Sequence, residues 1–156
     1  MRDSILKGFG FGITSGVITT LGLMIGLFAS TNSKLVVIGG ILSIAIADAF
    51  SDALGIHISE EASNNSSRKI WESTIATFLF KFLFASIFIL PVWFLELKTA
   101  IVFSIFLGFF LIGFFSCFIA KRNKDKCFSV VLEHLLIASV VIILTYFIGK
   151  GINYIF

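Results

Sequence analysis

Five long apolar stretches, separated only by short polar links, constrain the fold of this chain more than any other feature. They cover, approximately, residues 8–29, 35–58, 71–95, 99–120 and 128–149. A helix needs about 20 mainly apolar residues to cross the hydrocarbon core of a bilayer, and each stretch reaches that length. The links between them are too short to hold a second domain. The sequence therefore predicts an all-α integral membrane protein, with five transmembrane helices forming a single domain over residues 1–156.

Composition and motifs exclude several other classes of protein. The chain is 58% hydrophobic and 13% charged, whereas soluble domains are about half apolar and about a quarter charged. The net charge of +3 comes from residues in the links, without a basic run among exposed aromatics, so we expect no nucleic-acid partner. Cys117 and Cys127 form no CxxC pair, and we expect neither a structural disulfide nor a zinc site. No catalytic triad, HExxH motif or phosphate-binding glycine loop indicates an enzyme.

The basic residues predict the orientation in the membrane, because lysine and arginine are enriched in cytoplasmic links. If the N-terminus is cytoplasmic, the inner segments hold eight basic residues: Arg2, Lys7, Arg68, Lys69, Lys121, Arg122, Lys124 and Lys126. The outer segments then hold three: Lys34, Lys98 and Lys150. We therefore expect a cytoplasmic N-terminus and an external C-terminus, and the short links favour a prokaryotic plasma membrane.

Two carboxylates interrupt the second apolar stretch. Asp48 and Asp52 are four residues apart and share one helix face, where each charge costs about 2.5–3.5 kcal/mol at the membrane centre. A functional site is one explanation, and a protonated aspartate bonded to a neighbouring helix is the other. Carboxylate oxygens suit hard or borderline divalent cations. The candidate metal ligands are Asp48, Asp52 and Glu60, together with the hydroxyls of Ser15 and Thr19.

Lys81 lies ten residues beyond Trp71, about 15 Å along a helix and near the middle of the membrane. That depth leaves little scope for its ammonium to reach water, so we expect it to pair with Asp48 or Asp52. Our hypothesis is that Lys81 is the counter-ion of the empty site and that an arriving cation competes with it.

Further acids are expected at the cytoplasmic ends of the helices. Glu61, Glu72 and Glu133 are candidates for a mouth that concentrates cations, although ordinary solvation at the membrane surface explains them equally well.

Glycines recur along the first stretch at Gly8, Gly12 and Gly16, and again at Gly22 and Gly26. Small residues on one face allow a second helix to approach closely inside a bilayer. This spacing predicts a packing seam at a dimer axis or a bundle axis, unless it reflects only the general abundance of glycine in membrane helices.

These segments resemble the vacuolar iron transporter family. "TSGVITTLGLMIGL" is similar to the first helix of that family, and "IADAFSDALGIHIS" to the second, where Ser51, Ala53, Gly55 and Ser59 match. "ATFLFKFLFASIFILPVWF" resembles the third helix, and "FFLIGFFSCFIAKR" with "VVLEHLLIASVVIILTYFIGK" the last two. The resemblance implies a homodimer that exports Fe²⁺ or Mn²⁺ from the cytosol in exchange for protons. It also implies an ion path between the two copies and no permanently bound cofactor.

The chain departs from the family pattern at the metal site. The aspartate of the family's first helix falls on Ser15, the methionine of its second helix on Asp52, and the following glutamate on Ile56. Asp48 stands where the family has a small residue, so the site is harder and favours Mn²⁺, Fe²⁺ or Mg²⁺. The long cytoplasmic metal-binding insert is also missing. These departures support an alternative, a non-transporting membrane scaffold whose aspartates and Lys81 form a structural ion network.

Overall fold

The structure, a computed structural model, describes residues 3–156 and is 91% helical. Its helices are α1 (Asp3–Thr31), α2 (Lys34–Ala62), α3 (Ser67–Ser86), α4 (Ile89–Phe94), α5 (Leu97–Asn123) and α6 (Cys127–Ile155). They supply five segments long and apolar enough to cross a membrane, with α3 and α4 together forming the third. The expected all-helical, five-span fold is confirmed. Arg2, one of the basic residues counted above, lies outside the described residues.

The helices extend several residues into the polar links, because capping residues rather than the end of the apolar run determine where they stop. The side chain of Ser33 accepts a hydrogen bond from the amide of Val36 and begins α2. Asn32 and Asn64 adopt positive φ angles of 48° and 52° after α1 and α2. Asparagine tolerates that left-handed conformation better than most residues. The turns are therefore short, and antiparallel neighbours follow one another directly.

The predicted third helix, residues 71–95, is interrupted near its C-terminal end. α3 ends at Ser86 and α4 begins at Ile89, two residues before Pro91. Proline has no amide hydrogen for the helical bond to the carbonyl four residues earlier, and its ring crowds that carbonyl. The continuous helix expected from hydrophobicity is therefore wrong at this point. Lys34 closes the end of α4 by donating hydrogen bonds to the carbonyls of Trp93, at 3.0 Å, and Leu95, at 3.1 Å.

α1 is the central helix and contacts α2, α3, α5 and α6. Its side chains Ile13, Val17 and Met24 are completely buried in the core. α6 lies at the periphery, where Ala138 and Gly149 are its buried residues. Large apolar side chains are exposed on the outer faces of α2, α3, α5 and α6, as expected for surfaces in contact with lipid.

The glycines of α1 form two packing seams inside the chain. Gly8, Gly12 and Gly16 lie against α3, where a Cβ at Gly12 would stand 2.8 Å from the carbonyl oxygen of Thr77. Gly22 and Gly26 lie against α6. The seams therefore join neighbouring helices of one bundle, because the glycine surface lets their backbones approach closely.

Cys117 and Cys127 form a disulfide that links α5 to the first residue of α6. Our expectation of no structural disulfide is wrong. The two cysteines are ten residues apart in the sequence, but the turn between α5 and α6 reverses the direction of the chain and brings them together. Their Cα atoms are 4.7 Å apart, a distance within the usual range for disulfides.

Candidate functional site

A buried lysine lies at the middle of the membrane-spanning bundle. Lys81 is on α3, and its side chain is 1% exposed. It occupies the centre of the third span, Ser67–Phe94. The glycine seam brings α1 against this residue: a Cβ at Gly16 would lie 3.0 Å from the carbonyl oxygen of Lys81. The ammonium group is therefore enclosed between helices and cannot reach water by extending along the protein surface.

Both aspartates of α2 contact this ammonium. Lys81 Nζ lies 2.6 Å from Asp48 Oδ2, an ion pair whose angles fall outside hydrogen-bond geometry. It also donates a hydrogen bond to Asp52 Oδ2. Asp48 is the central residue of α2, with equal lengths of helix on either side. The expected pairing of Lys81 with Asp48 or Asp52 is therefore present, and it involves both carboxylates.

Ser15 completes this group, which we call the Lys81 centre (Ser15, Asp48, Asp52 and Lys81). Ser15 Oγ accepts a hydrogen bond from Lys81 Nζ at 2.9 Å and donates one to Asp52 Oδ2 at 2.7 Å. The hydroxyl thus bridges the cation and one anion. With both carboxylates ionised and the lysine protonated, the centre carries a net charge of −1.

The two carboxylates are less enclosed than the lysine. The side chain of Asp48 is 27% exposed and that of Asp52 is 21% exposed, against 1% for Lys81. The centre therefore opens toward the outer face of α2. In an apolar span, a charged group partly exposed on the outside of the bundle requires something other than lipid beside it.

Two of the predicted metal ligands lie away from this centre. Thr19 donates a hydrogen bond to the carbonyl of Ser15 at 2.9 Å and lines a groove between α1 and α6. Glu60 lies two turns beyond Asp52 and is 4% exposed. Its carboxylate accepts hydrogen bonds from Lys7 Nζ at 2.5 Å and from Asn65 Nδ2 at 2.9 Å. Of the five predicted ligands, the structure brings together Ser15, Asp48 and Asp52.

The predicted mouth is balanced in charge. A cavity of about 680 Å³ lies where α1 begins and the chain turns from α2 into α3. It is lined by three acids and three bases, namely Asp3, Glu60, Glu72, Lys7, Arg68 and Lys69. Glu72 accepts hydrogen bonds from Ser4 and Arg68. Glu61 is exposed near His57, and Glu133 is exposed on α6. Among the three predicted mouth residues, Glu72 alone lines this cavity.

Sequence reasoning missed Lys7 as the partner of Glu60 and Ser4 as a partner of Glu72. It also missed the contact between His134 Nδ1 and Ser116 Oγ, which are 2.7 Å apart across α5 and α6. The assignment of Lys7 and Glu60 to the same side of the membrane was the available signal for the first pair.

The described part of a single copy does not group enough side chains to hold a metal ion. Within residues 3–156, no three His, Cys, Asp or Glu side chains are grouped closely enough to hold a metal ion. The Lys81 centre provides two carboxylates and one hydroxyl, all in contact with an ammonium. A divalent ion would have to displace that ammonium and find further oxygen ligands.

The chain matches no protein-family model and no curated protein. The resemblance to the vacuolar iron transporters therefore rests on the sequence segments quoted above.

Proposed function

We propose that the chain is a transporter of divalent cations, Fe²⁺ or Mn²⁺, that binds its substrate at the Lys81 centre. The observation that carries this proposal is the ion group at mid-membrane, in which Asp48 and Asp52 remain partly exposed around a buried lysine. Paired oxygen ligands on one helix face suit such ions. Export from the cytosol and exchange for protons are the direction and coupling that the family resemblance implies.

A cation that reaches the aspartates has to compete with Lys81. The ammonium is held by both carboxylates and by Ser15, so it neutralises part of the charge while no substrate is bound. A divalent ion beside the same ammonium would be repelled, because a buried site screens the two positive charges poorly. Binding therefore requires the lysine to move away or lose its charge. When the lysine returns to the aspartates, the same competition favours release of the bound cation.

The outer face of α2 supports a homodimer. Small residues recur there every fourth position, and all six are exposed: Gly39, Ser43, Ala47, Ser51, Gly55 and Ser59. A Cβ at Gly39 or Gly55 would meet nothing within 4 Å. We call this surface the α2 stripe. Such a stripe allows a second helix to pack closely in a bilayer, where interfaces depend on van der Waals contact.

Asp48 and Asp52 border the α2 stripe, because residues three apart are neighbours on a helix surface and the aspartates precede the stripe residues Ser51 and Gly55 by three positions. If the chain were alone, the exposed edges of both carboxylates would face lipid, at about 2.5–3.5 kcal/mol for each charge. A second α2 packed on the stripe would cover them and bring four carboxylates to one axis. That arrangement supplies the oxygen ligands that one copy lacks.

The transport proposal is tested by Mn²⁺ and Fe²⁺ flux in proteoliposomes under an imposed pH gradient. Wild-type protein is compared with Asp48→Asn and Asp52→Asn, and with Glu61→Gln as an exposed-acid control. We expect gradient-dependent flux that is lost in both aspartate variants and retained in the control. Absence of flux from folded wild-type protein would refute the proposal.

The dimer is tested separately by disulfide cross-linking in the membrane. Ala47→Cys lies on the α2 stripe, and Leu136→Cys is an exposed control on α6. Because the native cysteines are paired with each other, we expect oxidant to yield a covalent dimer from Ala47→Cys and not from Leu136→Cys. Equal cross-linking at both positions would refute the α2 interface.

A structural ion network is the second candidate. It is favoured by the contacts of the Lys81 ammonium, which forms ion pairs with Asp48 and Asp52 and a hydrogen bond with Ser15 without a bound metal ion. In that case the chain is a membrane scaffold, and metal does not change its stability. Thermal unfolding in detergent with and without Mn²⁺ separates the two functions, since only the transporter requires stabilisation by metal that Asp52→Asn abolishes.

A further inference from the structure

The turn between α5 and α6 concentrates positive charge at one end of the bundle. It contains Lys121, Arg122, Lys124 and Lys126 within six residues, with Asp125 as its one acid, and all are exposed. Arg122 is engaged with Asp3, at 3.2 Å between Nη2 and Oδ1. This basic turn carries a net charge of +3 over residues 121–126.

Lys124 occupies a backbone position where lysine is unfavourable. Its φ angle is 63°, in the left-handed region that favours glycine or asparagine. Within residues 3–156, the two other non-glycine positions with positive φ hold asparagine, Asn32 and Asn64. Lysine at the third position gives up that conformational advantage and places an ammonium at the tip of the turn. The backbone conformation therefore does not explain the choice of lysine at this position.

Exposed aromatic rings flank the basic turn on the membrane side. Phe118, near the end of α5, is 48% exposed, and Phe128, at the start of α6, is 80% exposed. Both helices continue from the turn into membrane-spanning segments. A turn that joins two membrane-spanning helices lies at the membrane surface, so we expect its ammonium groups at the level of the lipid headgroups and the two rings beside the upper part of the acyl chains.

We propose that the basic turn binds the headgroup of anionic phospholipids. Clusters of lysine and arginine directly beside a transmembrane helix attract anionic lipid by about 1 kcal/mol for each basic residue near the surface, and the phosphate accepts hydrogen bonds from several ammonium groups. The adjacent phenylalanines favour a lipid over a soluble anion, because they contact the chains attached to the same headgroup. This interaction is independent of the transport proposal.

The test uses the purified full-length protein, titrated with phosphatidylglycerol or phosphatidylcholine and analysed by native mass spectrometry. The variant Lys124→Asn with Lys126→Gln removes two charges, and asparagine suits the positive φ, so the turn is preserved. The matched control, Lys98→Gln with Lys150→Gln, removes two exposed lysines from the opposite end of the bundle. Far-UV circular dichroism verifies folding of each protein.

We expect the wild type and the control to bind phosphatidylglycerol more tightly than phosphatidylcholine. In the basic-turn variant the ratio of the two affinities should fall about 10- to 30-fold. Lys124→Arg with Lys126→Arg should retain it. Equal affinity of the wild type for the two lipids would overturn the proposal, as would an equal loss in the control. Displacement of phosphatidylglycerol by soluble glycerol phosphate at the same concentration would also overturn it, because the turn would then be a small-anion site.

Discussion

Replacing Lys81 with methionine should destabilise the protein strongly. The substitution keeps an unbranched apolar side chain, one heavy atom shorter than lysine, but it removes the cation that contacts Asp48 and Asp52. Lys81 is 1% exposed, so water cannot replace it. Removing one partner from a buried ion pair costs about 3–5 kcal/mol, because the remaining charge is left without compensation. We expect a loss in this range for Lys81→Met.

Removing all three charges should restore most of that stability. Replacing a buried ionic group as a whole by hydrophobic residues of similar volume is often neutral or stabilising. The triple variant Lys81→Met, Asp48→Leu, Asp52→Leu is therefore expected to lie within about 1 kcal/mol of the wild type, apart from small packing changes. The loss of unfolding free energy in the single variant would then be due to the uncompensated carboxylates and not to the loss of lysine packing.

The assay is equilibrium unfolding in mixed micelles, followed by far-UV circular dichroism. Lys98→Met, an exposed lysine at the end of the bundle, is the control and should change the free energy of unfolding by less than about 0.5 kcal/mol. A loss of less than about 1 kcal/mol for Lys81→Met would contradict the ion-pair argument. So would a triple variant that is as unstable as the single variant.

Three other substitutions test separate parts of the fold. Gly12→Ala should cost about 1–3 kcal/mol because its Cβ would meet the backbone of α3, whereas Gly151→Ala, where a Cβ would meet nothing within 4 Å, should leave unfolding in micelles unchanged or slightly improved. Cys117→Ser should cost at most about 3 kcal/mol, the chain-entropy value for a short loop; alkylation of the wild-type cysteines without prior reduction would contradict the disulfide. Glu60→Gln should cost about 1–2 kcal/mol, since it weakens a charge-assisted bond to a partly exposed lysine. The matched substitution at the exposed neighbouring residue, Glu61→Gln, should leave the free energy of unfolding unchanged. Equal unfolding free energies for the two variants would argue against a specific contact between Lys7 and Glu60.

Much of the candidate site followed from helical spacing. Two aspartates four residues apart share a face in any α-helix, so their adjacency needed no knowledge of the other helices. The depth of Lys81 followed from the rise of the helix and the position of its first residues in the span. These two arguments were sufficient to predict the Lys81 pairing, because few acids lie at that depth.

Other residues were misplaced because the sequence does not tell which helix faces which. Thr19 is one turn from Ser15, yet it lines a groove shared with α6 and its hydroxyl donates to the carbonyl of Ser15 rather than to an aspartate. Glu60 continues the line of Asp52, but Lys7 of α1 lies opposite and pairs with it. The partner of a side chain depends on the rotation of each helix about its axis, which is fixed by packing surfaces distributed over the whole chain.

The sequence by itself determined the number of spans, because the length of an apolar run can be compared directly with the thickness of a bilayer. It also determined the shared face of Asp48 and Asp52. The tertiary structure decided that Lys81 contacts both of them, that the glycine seams join α1 to α3 and α6, and that the cysteines meet across a hairpin. These contacts arise between segments whose order around α1 follows from the close packing of side chains in three dimensions.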